Sequence, residues 1–171
     1  MRSTVRLLLI LSVMTAGLVA TAGGSGGACE INGTSGKDRL IGTKKADFIC
    51  GQGGNDFIKG KGGKDQIHGG DGRDTIIAGG GNDKVLGDAG NDILDGNGGD
   101  DKLVGGQGND FMRGFKGSDN LTGGTGNDCL YTVDGVGGND VAAGGKGIDT
   151  YDIDEGDTLK SAETAGSCAG D

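Results

Sequence analysis

Aspartate stands at positions 38, 47, 56, 65, 74, 83, 92, 101, 110, 119, 128, 140 and 149, always nine residues after the last except for one step of twelve. Carboxylates set at a fixed interval suit two kinds of chemistry. They can act in pairs as acid and base, as in glycoside hydrolysis, or they can ligate a metal ion. A repeated column of one residue type is better explained as metal ligation. Other catalytic sets are missing. His68 is the single histidine, HExxH is absent, and neither a zinc protease nor a Ser-His-Asp hydrolase is indicated. No catalytic residue is assigned, and the chain is not expected to be an enzyme.

The elements that must position these aspartates follow from the repeat itself. Eleven nine-residue units run from Gly33 to Tyr131, Thr132-Val133-Asp134 is inserted, and two more units run from Gly135 to Asp152. In each, the sixth residue is Asp and the eighth is apolar. The first is Gly except at Ala78, and the fourth is Gly except at Lys45. The last three residues of a unit, such as Phe57-Ile58-Lys59, suit a strand with its middle side chain inward, and the six before them are turn material. A three-residue strand cannot stand alone, so coils must stack and share a thin core. If strands alternate between two sheets, one coil takes eighteen residues. The aspartates then fall into two columns, 38-56-74-92-110-128-149 and 47-65-83-101-119-140.

Strand spacing of about 4.8 Å would set like charges one above another in those columns. Such carboxylates raise each other's pKa or push the chain apart unless something positive lies between them. The lysines are too irregular to serve every gap. An all-oxygen, pliable cage of carboxylates and exposed glycine carbonyls suits Ca²⁺ better than the strict octahedron of Mg²⁺.

Segments such as GGDGRDTII (69–77), GGQGNDFMR (105–113), GGTGNDCLY (123–131) and GGKGIDTYD (144–152) closely match G-G-x-G-x-D-x-U-x, where U is a large aliphatic residue. With them the chain resembles the RTX, or haemolysin-type, calcium-binding repeat family. The resemblance implies an all-β fold, a right-handed parallel β-roll. It also implies that Ca²⁺ is held between turns by Asp38, Asp56, Asp65, Asp74, Asp83, Asp92, Asp101, Asp110, Asp119, Asp128, Asp140 and Asp149, with turn carbonyls of Gly54, Gly63, Gly72, Gly81, Gly90, Gly99, Gly108, Gly117 and Gly126. Asp47 lies beside Lys44 and Lys45, and its turn is expected to bind weakly or not at all. Four units place their second glycine one residue late, as Gly-x-Gly-Gly. A degenerate unit, GSGGACEIN (24–32), is expected to cap the N-terminal end, and the segment from Ile153 to the C-terminus to cap the other.

The whole chain has 171 residues, 42 of them Gly and none Pro, with a formal charge of −9 and 4% aromatic residues. Arg2 and Arg6 followed by an apolar run and Ala20-Thr21-Ala22 read as a secretory signal peptide over residues 1–22. The organisation expected after it is an N-terminal cap at 23–32, the roll at 33–152 with its insertion at 132–134, and a C-terminal cap and tail at 153–171. Removing Arg2 and Arg6 deepens the acidic charge to −11, which disfavours nucleic acid and anionic membrane as partners. Four cysteines in an exported chain favour two disulfides stapling the end caps, with Cys29–Cys50 and Cys129–Cys168 preferred among three pairings. A secreted, extracellular monomer is expected.

Other motifs are weaker. Asp152-Ile153-Asp154-Glu155-Gly156 lacks the twelfth-position Glu and flanking helices of an EF-hand and is read as part of the cap. Asn32-Gly33-Thr34 and Asn120-Leu121-Thr122 match the glycosylation sequon, yet both sit where the repeat already explains them. Position three shows no threonine ladder, which disfavours ice binding. Two functions stay open: calcium binding coupled to folding, and an extracellular scaffold, adhesion or enzyme-accessory module in which calcium is only structural.

Overall fold

The computed structural model describes residues 29–135 and 139–160; the expected signal peptide and Cys168 lie outside them. Among the described residues fifteen parallel strands form two facing sheets, numbered here in chain order. One sheet contains β1 (Ile31–Asn32), β3 (Phe48–Cys50), β5 (Gln66–Asp71), β7 (Lys84–Ala89), β9 (Lys102–Gln107), β11 (Asn120–Thr125), β13 (Val141–Lys146) and β15 (Thr158–Leu159). The other contains β2 (Arg39–Ile41), β4 (Phe57–Gly62), β6 (Thr75–Gly80), β8 (Ile93–Gly98), β10 (Phe111–Lys116), β12 (Cys129–Tyr131) and β14 (Thr150–Asp152). Successive strands alternate between sheets. Each pairs with the strand one full coil away, as in Ile58↔Ile76 and Ile76↔Leu94. The coil is eighteen residues, as the two-sheet reading requires.

The eighth residues make the core. Ile31, Ile49, Ile67, Val85, Leu103, Leu121 and Ala142 form one row; Leu40, Ile58, Ile76, Leu94, Met112, Leu130 and Tyr151 face them from the other sheet. All are buried. Each side chain meets its coil neighbours in register, so burial of a narrow apolar strip holds the stack.

The strands are longer than the sequence predicts. β4 to β11 and β13 each have six residues, because the ladder continues through positions one to three of the next unit. Only positions four to six remain as turn. Pairing skips position one: His68↔Leu86 is followed by Gly70↔Asp88, and Lys59↔Ile77 by Lys61↔Gly79. Position two then rejoins the ladder with a positive φ. Glycine fills it in several coils, but Gln52, Lys61, Asp88, Asn97 and Phe115 adopt φ of 67° to 85° there, a conformation costly for side-chain-bearing residues. The late glycine of the Gly-x-Gly-Gly units therefore does not take over the strained position.

The three inserted residues are absorbed between β12 and β13. Beyond them the register step grows from eighteen to twenty-one in both sheets, as in Asn120↔Val141 and Cys129↔Thr150. At the N-terminal end β1 pairs with β3, and Cys29 is bonded to Cys50 across a Cα–Cα distance of 5.9 Å. Cys129 is also disulfide-bonded, and its expected partner Cys168 lies outside the described residues. At the other end Ile153 and Leu159 pack against the core, and β15 pairs with β13.

Candidate metal centre

Every position-six aspartate ends a tight turn and points inward. From Asp56 onward, Oδ1 accepts the backbone N–H of the aspartate one coil earlier. This links Asp38 to Asp56, Asp74, Asp92, Asp110, Asp128 and Asp149, and Asp47 to Asp65, Asp83, Asp101, Asp119 and Asp140, at 2.7–2.9 Å. The two columns expected from the spacing are both present. From Asp47 onward these side chains are buried, at 5% exposure or less.

In ten of them the second oxygen is unsatisfied. Oδ2 of Asp56, Asp65, Asp74, Asp83, Asp92, Asp101, Asp110, Asp119, Asp128 and Asp140 is buried with no hydrogen-bond partner. Ten acceptors without donors, repeated coil after coil, are costly unless a proton or a cation meets them. The titration behaviour has the same origin. Burial raises every one of these carboxyls, opposed by the N–H bond. Asp56, Asp65, Asp119 and Asp128 reach about 6, and Asp92, Asp101 and Asp140 about 7, with like-charged aspartates adding to the rise. Asp74, Asp83 and Asp110 are raised for the same leading cause.

The glycine at position one makes room beside eight of these ten carboxylates; Asp83 has Ala78 there, and a methyl on Gly135 would meet nothing near Asp140. A methyl built on Gly87 would lie 2.5 Å from Asp92 Oδ2 and 2.6 Å from the carbonyl oxygen of Gly105 in the next coil; on Gly96 it would lie 2.5 Å from Asp101 Oδ2 and 2.9 Å from Gly114 O. Carboxylate and carbonyl oxygens thus border one small cradle. Position four needs glycine for a second reason, its positive φ, seen in Gly54, Gly63, Gly72, Gly81, Gly90, Gly99, Gly108, Gly117 and Gly126. The carbonyls of Gly54, Gly63, Gly72, Gly81, Gly90, Gly99, Gly108 and Gly126 each abut the glycine of the coil above. The Gly117 carbonyl also accepts the Asn139 side-chain amide. The position-one carbonyls beside the carboxylates were not among the oxygens read from the sequence. Among the described residues no three acidic, His or Cys side chains gather as a metal-binding group, so a cation cage here must draw on backbone carbonyls. Unpartnered carboxylate oxygens beside carbonyls, with no nitrogen or sulfur donor, fit a hard cation such as Ca²⁺.

The first two turns differ. Asp38 Oδ2 accepts the Thr34 N–H (2.6 Å) and hydroxyl (2.9 Å), and Asp47 Oδ2 accepts the Thr43 N–H (2.6 Å) and hydroxyl (3.0 Å). At the far end the even column gains a member. Asp157 Oδ1 accepts the Asp140 N–H at 3.3 Å, and Thr158 N–H bonds to Asp140 O as every position-seven residue does one coil on. Asp157-Thr158-Leu159 carries the D-x-U signature, but its seventeen-residue offset hides it from a nine-residue frame. Asp154 Oδ2 accepts the N–H groups of Asp134 and Gly135, which ties the insertion to the cap.

A second ladder runs along position five. Asn55, Asn91, Asn109 and Asn127 each accept the N–H of the position-five residue in the next coil, at 2.8–2.9 Å, and Asn82 and Asp100 do the same in the other column at 3.0–3.1 Å. The frequent Asn at this position was the available signal. His68 lies on the outer face, its Nδ1 3.3 Å from Asp88 Oδ2 and its ring against Phe48. The Asn32 amide is turned onto the Cys29 carbonyl.

The family described as RTX calcium-binding nonapeptide repeat (4 copies) matches residues 32–67, 59–94, 95–130 and 132–151. No individual curated protein shows significant similarity to the chain.

Proposed function

The chain belongs to the RTX calcium-binding nonapeptide repeat family, and from that premise we propose a secreted, non-catalytic calcium-binding protein whose coils become ordered as the ion is taken up. One observation supports this reading above the others: the row of ten buried Oδ2 atoms without partners, eight of them bordering a cradle that a position-one glycine leaves open. Asp56, Asp65, Asp74, Asp83, Asp92, Asp101, Asp110, Asp119, Asp128 and Asp140 would hold the cation, together with the neighbouring position-one carbonyls and turn carbonyls. Bound Ca²⁺ supplies the positive charge these oxygens lack.

Ion binding and folding are then one process. The core is a thin double row of single side chains, too little to offset chain entropy while the columns repel. Extracellular calcium modules work at roughly 10⁻⁴–10⁻³ M free ion, so order would follow export. The test is far-UV circular dichroism of residues 23–171 with CaCl₂ and, separately, MgCl₂, alongside equilibrium dialysis. A cooperative rise in β content with calcium alone, and several ions bound per chain, is expected. A spectrum that is fully β-rich in chelator at neutral pH, or one that calcium leaves unchanged, would overturn the reading.

A further inference from the structure

The aspartate turns are of two kinds, and the difference lies at position two. From the third unit onward that residue is in the left-handed region in most coils, as at Gln52, Lys61, Gly70 and Phe115, and no N–H or hydroxyl reaches Oδ2 of the ten aspartates from Asp56 to Asp140. In the first two units position two is threonine. A β-branched residue is badly suited to positive φ. Thr34 and Thr43 keep φ negative, and each brings two donors onto the oxygen that is orphaned elsewhere. Each hydroxyl also accepts an N–H two residues on, from Gly36 at 3.2 Å and Lys45 at 3.1 Å, so threonine, carboxylate and turn backbone are joined in one network.

We infer that Thr34 and Thr43 stand in for the cation in the first two turns, so that the first coil closes without calcium and ion uptake begins at Asp56. The inference rests on the calcium reading for the later turns only. Lys44 and Lys45 are not what sets Asp47 apart; Asp38, with a different neighbourhood, is satisfied in the same way by its own threonine. The Cys29–Cys50 bond closes the same coil, and Ile31, Leu40 and Ile49 bury its core. A coil already shaped in this way offers β4 and β5 a preformed edge. Later coils would add onto it in chain order as their cradles fill.

Hydrogen–deuterium exchange read by mass spectrometry on the full mature chain, disulfides intact, tests this at neutral pH. In chelator, amides of 39–50 should exchange about 10- to 100-fold more slowly than those of 75–125, and calcium should protect the latter. The double variant Thr34→Gly/Thr43→Gly should lose the protection of 39–50 in chelator, regain it with calcium, and bind more calcium per chain by dialysis. Thr34→Ser/Thr43→Ser, which keeps both hydroxyls, should behave as the parent. Free exchange of 39–50 in the parent would overturn the inference. So would unchanged protection and stoichiometry in the glycine variant, because the retained disulfide would then account for the order. Should dialysis find no calcium on any form, the calcium reading fails, while loss of chelator protection in the glycine variant still upholds the threonine closure.

Discussion

Lowering the pH of the calcium-free chain from about 8 to about 5 is expected to raise its β content, the reverse of ordinary acid denaturation. In the folded chain Asp56, Asp65, Asp119 and Asp128 are lifted from 3.8 to about 6, and Asp92, Asp101 and Asp140 to about 7, by burial first and neighbouring aspartates second. A folded-state pKa above the unfolded one means that the folded chain holds its protons more tightly. The stability these groups contribute is complete below 3.8 and is lost as pH rises through 6 to 7. Each rise corresponds to about 3–4 kcal/mol per ionised carboxylate. Only a few such costs exceed the whole stability of an ordinary domain, about 5–15 kcal/mol. At neutral pH without a cation the columns cannot all be buried and charged at once. Protonation removes the charge and also places an O–H where Oδ2 has no partner. The assay is circular dichroism in chelator across that pH range. Asp92→Asn and Asp101→Asn, each adding an amide donor beside the Gly105 or Gly114 carbonyl, should move the midpoint to higher pH. A chelated chain whose β content stays flat or falls on acidification would refute the reasoning. So would Asn variants that shift the midpoint downward.

Gly87→Ala should place a methyl between Asp92 Oδ2 and Gly105 O and weaken the calcium-loaded fold by about 1–3 kcal/mol. Gly80→Ala, with nothing within 4 Å, should stay within about 0.5 kcal/mol; equal urea midpoints for the two would contradict the cradle geometry. Leu94→Ala empties a fully buried site between Ile76 and Met112 and should cost about 2–5 kcal/mol in urea unfolding with calcium present, a negligible loss being the contrary result. Peptide mapping without reductant should recover fragments joined through Cys29–Cys50 and through Cys129–Cys168, and a Cys129 fragment joined to neither would show the second pairing wrong.

Much of this was legible in the chain. An aspartate at every sixth place and an aliphatic residue at every eighth define columns, coil length and core, because strand pairing leaves those two positions no freedom. The even cysteine count gave the staple at Cys29. What escaped the reading depends on backbone direction. Phe115 and Lys61 occupy a left-handed position that ordinarily calls for glycine, so no residue type announces that the strand continues past the skipped first position. The position-one glycines look like turn residues, yet their use is the space they leave. Thr34 and Thr43 look like ordinary variation until their donors are seen on the carboxylates, and Asp157 is out of phase with the nine-residue frame.

The alternation of successive strands between two faces makes the molecule a screw with a half-turn step. One nonapeptide advances the chain by half a revolution, and two advance it by one thread of about 4.8 Å. Gaining or losing eighteen residues would therefore lengthen or shorten the rod and leave both ends in the same orientation. A change of nine would rotate everything beyond it by half a revolution, turning the β15 cap to the side opposite the Cys29–Cys50 staple. Repeat number thus sets two properties at once: how far apart the two ends are held, and whether surfaces carried at those ends face the same way or opposite ways.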